Sequence, residues 1–347
     1  MKKPTLKLKE IIWEITGKCL NNCSYCGSKD IWKHEINNET IISIATAIAE
    51  YPLESVNISG GDPLLVPYGT HELVVKTLNA SGIKEVKIII NPKSFLHIEK
   101  EKIYSILKLY SWVGVSINNE EELNLYEKHL KGLTNKSTII SNFNIQNIFM
   151  FEKIKNLVKS SNVLWQIQYT IFTPKHDLAL YENDEANKLF YTYIENALKE
   201  GVGIIIADNM NNTPCAAGIN SIGILSNGDV VPCLSMRSWE NNISKCVEGN
   251  LLTEKLKYIW EYKFLNNRFT TTKCCKDFCN NKCYQPSETP IFNELFKLIP
   301  KEESITKYPP NWDRVVLYGV TPNIQMYGVG IHNTVVYAVF SNQGSLT

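Results

Sequence analysis

Short apolar segments alternate with longer amphipathic ones over the first half of this chain, and this alternation limits the folds open to it. Helix-like segments such as 40–50, where Ile41, Ile44 and Ile48 recur at helical spacing, separate runs of β-branched and aromatic residues. The β-rich runs are 11–15, 56–58, 86–90, 112–117, 138–140 and 163–167. Because strand and helix in alternation indicate βαβ units and a parallel sheet, the pattern predicts an open doubly wound sheet or a partial barrel.

Length and charge narrow the class of protein further. At 347 residues the chain exceeds the roughly 250 to 300 residues that one core serves efficiently, so we expect more than one domain. Its 36 basic and 35 acidic residues give a net charge of +1, which excludes a global field toward nucleic acid or an anionic membrane. No stretch reads as a signal peptide or a membrane span, so we expect a cytoplasmic protein with neither nucleic-acid nor membrane partners.

The ten cysteines fall into two clusters that are far apart in the chain. The first is Cys19, Cys23 and Cys26, and the second is Cys215, Cys233, Cys246, Cys274, Cys275, Cys279 and Cys283. In a cytosolic chain, where thiols stay reduced, such clusters indicate metal binding or catalysis rather than disulfides. We therefore predict two separate metal-binding regions.

The first cluster, Cys19-Leu-Asn-Asn-Cys23-Ser-Tyr-Cys26, directly follows the first predicted strand. Iron-sulfur clusters are normally held by four thiolates, so three thiolates without a nearby fourth leave one iron open to a substrate or cofactor. A zinc site is the alternative, with His34 as the nearest candidate for a remote fourth ligand. Zinc sites favour paired Cys-x-x-Cys units, and this spacing has only one.

This C-x3-C-x2-C spacing, with aromatic Tyr25 before the third cysteine, resembles that of the radical S-adenosylmethionine (SAM) enzymes. The resemblance extends to Ser-Gly-Gly-Asp-Pro at 59–63, which is similar to the family's glycine-rich motif for the methionine amino group. It implies a 4Fe-4S cluster on Cys19, Cys23 and Cys26 that reductively cleaves SAM to a 5'-deoxyadenosyl radical. It also implies a partial (β/α)6 TIM-like barrel with its site at the carboxyl ends of the strands.

The same resemblance implies which residues bind SAM. Gly60 and Gly61 would let the backbone approach the ligand without an intervening Cβ, and Asp62 would accept a hydrogen bond from its ammonium group. The remaining candidates are Tyr25 near the adenine, Pro63 beside the glycines, Ser116 at the ribose, and Asn142 at the end of the fifth strand.

The second cysteine cluster resembles the auxiliary iron-sulfur extension called SPASM or, in a shorter form, twitch. A predicted hairpin turn at 226–229 would bring Cys215 and Cys233 to the same end of the hairpin. The resemblance implies one or two auxiliary clusters on Cys215, Cys233, Cys274, Cys275, Cys279 and Cys283. The usual second auxiliary site has a further cysteine after this point, which the chain lacks, and a zinc module is the alternative.

We predict three parts: the radical SAM barrel over 1–205, the SPASM/twitch domain over 206–290 and a β-rich C-terminal segment over 291–347. Tyr-Gly-Val at 318–320 recurs at 327–329, which predicts a hairpin or small sheet. This tail would cover a face of the core or pair with a peptide substrate. Because the first strand begins near residue 10, we expect any leader peptide to be recognised by a separate protein or by this tail.

Barrels with such an extension commonly act on ribosomally made peptides or on a protein partner. The resemblance therefore implies a peptide or protein substrate that is cross-linked, epimerised or oxidised, with a donor such as flavodoxin or ferredoxin supplying electrons. The alternatives are a twitch-type dehydrogenase of a small hydroxylated metabolite and a non-enzymatic iron-sulfur scaffold. The candidates for proton or hydrogen transfer are Asp208, Gln168 and Cys246.

Overall fold

The structure is a computed structural model of the 347-residue chain. It describes residues 7–21, 23, 26, 36–132, 137–161, 163–170, 183–206, 218, 220–234 and 246–264, and the backbone of 316–321, 324–328 and 337–339. The chain forms two compact units. The first comprises residues 1–114, 173–176 and 215–283, and the second comprises residues 115–172, 177–214 and 284–347.

The first unit opens with the predicted alternation of strands and helices. Its elements are β1 (Glu10–Glu14), α1 (Asn38–Ala49), β2 (Ser55–Ser59), α2 (Tyr68–Ala80), β3 (Glu85–Ile90) and α3 (Lys100–Leu107). The three strands are parallel, with Ile12 of β1 beside Asn57 of β2 and Asn57 beside Lys87 of β3. The parallel sheet predicted from the sequence is confirmed.

The second unit has the same alternation. Its elements are β4 (Trp112–Ser116), which begins in the first unit, α4 (Glu120–His129), β5 (Ser137–Phe143), α5 (Phe151–Ser161), β6 (Leu164–Tyr169), α6 (Asp184–Lys199) and β7 (Ile204–Ile206). β5, β6 and β7 are parallel, so that Ile140, Gln166 and Ile205 lie side by side.

An aromatic cluster defines the two faces of the β5–β6 sheet. Phe143 and Trp165 pack against Phe151 of α5, with ring centroids 5.4 and 4.7 Å away, and Phe143 also lies 5.1 Å from Phe190 of α6. Side chains alternate along a strand, so Asn142 and Gln166 lie on the face away from these helices.

The first unit also contains the start of the predicted auxiliary domain. β8 (Ser221–Ile224) runs parallel to β1, with Glu10 beside Ser221, and β9 (Asp229–Val231) and β10 (Gly249–Asn250) follow as an antiparallel meander. The predicted turn at 226–229 joins β8 to β9, and Gly228 adopts a φ of +88°, a conformation that suits glycine. α7 (Leu256–Tyr258) then leads into a π-helical turn, Ile259–Lys263.

The C-terminal segment of the second unit adds three strands: β11 (Val316–Thr321), β12 (Ile324–Gly328) and β13 (Tyr337–Val339). β11 and β12 form an antiparallel hairpin, as the repeated Tyr-Gly-Val predicted, and β13 pairs antiparallel with β12 and with β7.

Asparagine side chains start three of the helices. Asn37, Asn119 and Asn183 accept hydrogen bonds of 2.8 to 3.0 Å from the backbone N–H groups in the first turns of α1, α4 and α6. Within the described ranges, the helices are all too short or too polar to cross a bilayer.

Candidate active site

The thiol loop, residues 16–26, follows directly from β1. The thiols of Cys19, Cys23 and Cys26 are half-buried and none forms a disulfide. The Cys23 carbonyl accepts a 3.3 Å hydrogen bond from the Cys26 N–H, and the Asn21 N–H lies 3.4 Å from the Cys19 Sγ. The loop therefore turns back on itself and brings a backbone donor to one of its sulfurs.

Cys19 is chemically suited to a metal centre. The pKa of its thiol is raised to about 11, chiefly by desolvation and to a smaller degree by the Asp62 carboxylate, while the Asn21 N–H opposes the rise. Coordination to a metal deprotonates such a thiol outright. Thiolates are also the soft ligands that hold iron-sulfur clusters, so the donor set fits a 4Fe-4S cluster.

The three thiols need not converge on a single point to bind a 4Fe-4S cluster. Within the described part of the chain, His, Cys, Asp and Glu side chains form no group of three or more that could hold one metal ion. In a 4Fe-4S cluster each protein thiolate binds a different iron, so the ligands surround the cluster rather than one ion. Tyr25 and His34 lie outside the described residues.

The two glycines after β2 lie against the thiol loop. A Cβ on Gly61 would stand 2.2 Å from the Lys18 carbonyl oxygen, and a Cβ on Gly60, whose φ is +138°, would stand 2.6 Å from the Thr16 carbonyl oxygen. The Gly61 and Asp62 N–H groups donate 2.7 Å hydrogen bonds to these same two carbonyls. The backbones of the glycine motif and the thiol loop are therefore in direct contact, with no side chain between them.

Asp62 is buried and its carboxylate is already engaged. Its Oδ1 accepts from the Leu64 N–H at 3.1 Å, which caps a short 3-10 helix, and its Oδ2 accepts from the Ser94 hydroxyl at 2.7 Å. Burial raises the pKa of this carboxyl, while the Ser94 and Leu64 hydrogen bonds oppose the rise. Each carboxylate oxygen can accept more than one hydrogen bond, so the predicted contact with the SAM ammonium stays a prediction.

Ser94 was not predicted from the sequence. It lies in a second 3-10 helix, Pro92–Leu96, which Asn91 caps through a 2.9 Å hydrogen bond to the Lys93 N–H. The two neighbouring parallel strands β2 and β3 are thus followed by the same arrangement, in which a capping side chain precedes a proline at the start of a 3-10 helix. The pairs are Asp62-Pro63 and Asn91-Pro92. The sequence pattern that could have indicated these two caps is the Asp-Pro or Asn-Pro pair that follows each strand.

In the second unit, an amide network holds Ser116 and Asn142. The Asn118 Nδ2 donates to the Ser116 Oγ at 2.9 Å, and the Asn118 Oδ1 accepts from the Asn142 N–H at 2.7 Å. The Thr170 hydroxyl donates to the Asn142 Oδ1 at 2.8 Å. Ser116 accepts through its oxygen and so keeps its O–H to donate, which suits contact with an acceptor-rich group such as a ribose.

Gln168 and Gln166 lie on the same face of β6 as Asn142 does on β5. Gln168, predicted for proton transfer, is half-buried and sits beside Asn142 in the strand register. Gln166 is 0% exposed, and among the described residues neither its amide oxygen nor its amide nitrogen has a hydrogen-bond partner. The Gln-Ile-Gln alternation at 166–168 could have indicated that two polar side chains share this face of β6.

The auxiliary region is described only in part. Cys233 is half-buried just beyond β9, and Cys246, a candidate for hydrogen transfer, is buried at 2% exposure before β10. The other predicted residues of this region and the proton-transfer candidate before it lie outside the described residues: Asp208, Cys215, Cys274, Cys275, Cys279 and Cys283.

Comparisons with known families agree with this geometry. Residues 13–141 match the radical SAM superfamily, and residues 215–284 match SPASM, an iron-sulfur cluster-binding domain. The first match covers the thiol loop and the glycine motif, together with Ser116. The second begins at Cys215 and ends just after Cys283.

Individual proteins are similar over different shares of the chain. An S-adenosylmethionine-dependent nucleotide dehydratase from a Thermoplasmatales archaeon is 25% identical over 108 residues, which are 31% of this chain and only 37% of that relative. The structure of anSMEcpe with bound AdoMet and Cp18Cys peptide is 15% identical, with a TM-score of 0.57, over 84% of this chain and 95% of that one. Streptococcus suis SuiB bound to its precursor peptide SuiA is 15% identical, with a TM-score of 0.53, over 74% and 65% respectively.

At these identities the two structures establish the fold alone, which is an α/β fold with a parallel sheet, consistent with the expected partial barrel. The two family matches establish the domains and their cofactors: a 4Fe-4S cluster with SAM in the first, and auxiliary iron-sulfur binding in the second. Over residues 13–141 the chain belongs to the radical SAM superfamily, and over residues 215–284 it carries a SPASM domain.

Proposed function

We propose that this chain reductively cleaves SAM and uses the resulting radical to abstract hydrogen from a peptide or protein substrate. The observation that supports SAM cleavage is the direct backbone contact between the thiol loop and the glycine motif. The Gly61 and Asp62 N–H groups hydrogen-bond to the Thr16 and Lys18 carbonyls, which supports a SAM amino-group site directly beside the start of the thiol loop.

In this proposal Cys19, Cys23 and Cys26 hold the 4Fe-4S cluster, which, when bound, supplies the electron that breaks the carbon-sulfur bond of SAM. The backbone at Gly60 and Gly61, together with the Asp62 carboxylate, orients the methionine end of SAM. Ser116 and Asn142 offer donors to the remainder of the cofactor. The three-part division at 205 and 290 belongs to the same proposal.

A peptide substrate is supported by the SPASM domain and by the fold shared with structures that hold peptides. A nucleotide substrate is the second candidate, because the curated relative is a nucleotide dehydratase. That relative covers the smaller part of both chains, so the peptide remains our first choice. A small hydroxylated metabolite and a flavodoxin-type or ferredoxin-type electron donor stay predictions.

The test is anaerobic reconstitution of the full chain, followed by iron counting, Mössbauer spectroscopy and a 5'-deoxyadenosine assay with a chemical reductant. The variant with Cys19, Cys23 and Cys26 all changed to Ala should lose about four irons and all SAM cleavage. About four irons left in that variant means one auxiliary cluster and about eight means two. Unchanged SAM cleavage in the variant would refute the assignment.

The substrate is tested separately with deuterated candidates. Short peptides from any open reading frames beside this gene, and separately a mixture of ribonucleoside triphosphates, are incubated with the reconstituted chain and SAM. Deuterium in 5'-deoxyadenosine from the peptide supports the proposal. Deuterium from the nucleotides alone would replace the peptide with the second candidate.

A further inference from the structure

A buried histidine and tyrosine support the glycine motif from the protein core. His71 of α2 is 0% exposed, and its Nε2 lies 3.0 Å from the Pro63 carbonyl oxygen. Its Nδ1 lies 2.5 Å from the hydroxyl of Tyr110, which is buried between α3 and β4, and the two rings meet edge to face at 5.7 Å. This chain of contacts ends on the last residue of the Gly60–Pro63 segment.

The partners fix the direction of each hydrogen bond. A carbonyl oxygen only accepts, so the His71 Nε2–H donates to Pro63, and the Nδ1 is left as an acceptor for the Tyr110 hydroxyl. Desolvation lowers the pKa of His71 to about 4, so the imidazole is neutral at physiological pH, as this arrangement requires. Tyr110 therefore selects the His71 tautomer that can bind Pro63.

The hydrogen bond from His71 is not needed to satisfy the Pro63 carbonyl. That oxygen already accepts a 3.0 Å hydrogen bond from the Val66 N–H within the 3-10 helix. An apolar pair would fill the same buried space without the penalty for removing an imidazole and a phenol hydroxyl from water. The polar pair adds a directional restraint, which fixes the Pro63 peptide against α2.

We propose that His71 and Tyr110 are positioning residues for SAM binding, and this inference rests on the proposed function. The Gly60–Pro63 segment is held on one side by the thiol-loop backbone and by Ser94, and His71 with Tyr110 completes the restraint at its end. Loss of the pair leaves the thiols in place but lets the methionine site vary in orientation, which weakens SAM binding.

Four variants of the reconstituted full chain separate this role from a merely structural one. Tyr110→Phe removes only the hydroxyl, and His71→Met removes both hydrogen bonds at similar length. His71→Gln keeps one donor and one acceptor without an ionisable ring, and so should rescue. Tyr68→Phe, on the exposed face of the same helix, is the matched control.

Three measurements are made: SAM binding by equilibrium dialysis, iron content, and hydrogen exchange of the 59–66 backbone. We expect Tyr110→Phe and His71→Met to bind SAM roughly tenfold more weakly and to exchange faster in 59–66, with unchanged iron. His71→Gln and Tyr68→Phe should stay within about twofold of the wild type. In the His71→Met background, Tyr110→Phe should add little, because the two residues act as one unit.

Equal SAM affinity in wild type, Tyr110→Phe and His71→Met overturns this inference alone and leaves the proposed function standing. Failure of the wild type to bind SAM overturns the proposed function and this inference with it. If His71→Met does not fold, Tyr110→Phe keeps the ring and decides the question together with the exchange of 59–66.

Discussion

The two units present their predicted SAM-binding residues on supports of different kinds. In the first unit, the Gly61 and Asp62 N–H groups donate backbone hydrogen bonds to the carbonyls of Thr16 and Lys18, and Gly60 and Gly61 lie so close to that backbone that there is no room for a side chain. In the second unit, Ser116 and Asn142 are held by amide and hydroxyl side chains at the strand ends. Residues held by backbone packing are displaced when a side-chain atom is added. Residues held by side-chain hydrogen bonds lose their partners when such a side chain is truncated.

The largest effect should come from adding one methyl group to the first support. In Gly61→Ala the new Cβ would meet the Lys18 carbonyl oxygen at 2.2 Å, next to Cys19 in the chain. The thiol loop must move, and displacement by about 1 Å at a reacting centre can reduce a rate about 100-fold, so we expect that loss of SAM cleavage. The measurement is 5'-deoxyadenosine formation with iron content.

Gly69→Ala is the control for this prediction. Gly69 lies in the first turn of α2, where an added Cβ meets no atom within 4 Å. Alanine favours a helix over glycine by about 0.8 to 1 kcal/mol, so this variant should be as active as the wild type and at least as stable. Full activity in Gly61→Ala would remove the contrast between the two supports.

An intermediate effect should come from removing the amide of the second support. Asn118→Ala leaves the Asn142 N–H without its acceptor and Ser116 without its donor. We expect about 2 kcal/mol less stability in urea unfolding, since an unsatisfied buried polar group costs about 1 to 3 kcal/mol, with an unchanged iron content.

The control for that variant is Asn124→Ala, on the exposed face of α4 in the same unit. It should change the free energy of unfolding by no more than about 0.5 kcal/mol, as is usual for surface positions. If Asn118→Ala lost iron as well, the two supports would not be independent.

The smallest effect, and one of opposite sign, should come from Gln166. Its amide is fully buried and has no hydrogen-bond partner in the part of the chain that the structure describes, so Gln166→Met keeps the shape and removes polar atoms whose burial is unfavourable. We expect a gain of about 1 kcal/mol in the free energy of unfolding. The exposed Gln146→Met should be neutral, and a loss of stability in Gln166→Met would show that its amide has a structural partner.

Sequence reasoning predicted the features that are local in the chain. The alternation of strands and helices, the turn at 226–229 and the C-terminal hairpin are set by short-range patterns, and the structure confirms them. The thiol loop was likewise placed correctly after β1. Its role as ligand stays a prediction for each cysteine, although the family is established.

The supports were not predictable because they depend on contacts between distant residues. Ser94 is 32 positions from Asp62, and Tyr110 is 39 positions from His71, so that only tertiary packing brings each pair together. The two glycines indicated that something approaches closely there. That the close neighbour is the backbone of Thr16 and Lys18, rather than a ligand alone, is a tertiary fact that no spacing encodes.

The pairing of β8 with β1 bears on how this protein can be divided. β1 is a buried, parallel strand, and its second edge is covered by a strand that comes from the region matching SPASM. A truncated chain that ends at residue 205 would leave that edge unpaired, and exposed apolar edges template aggregation. The strand that opens the SPASM match therefore completes the sheet that holds the thiol loop, and we expect residues 215–264 to be needed for the first unit to fold.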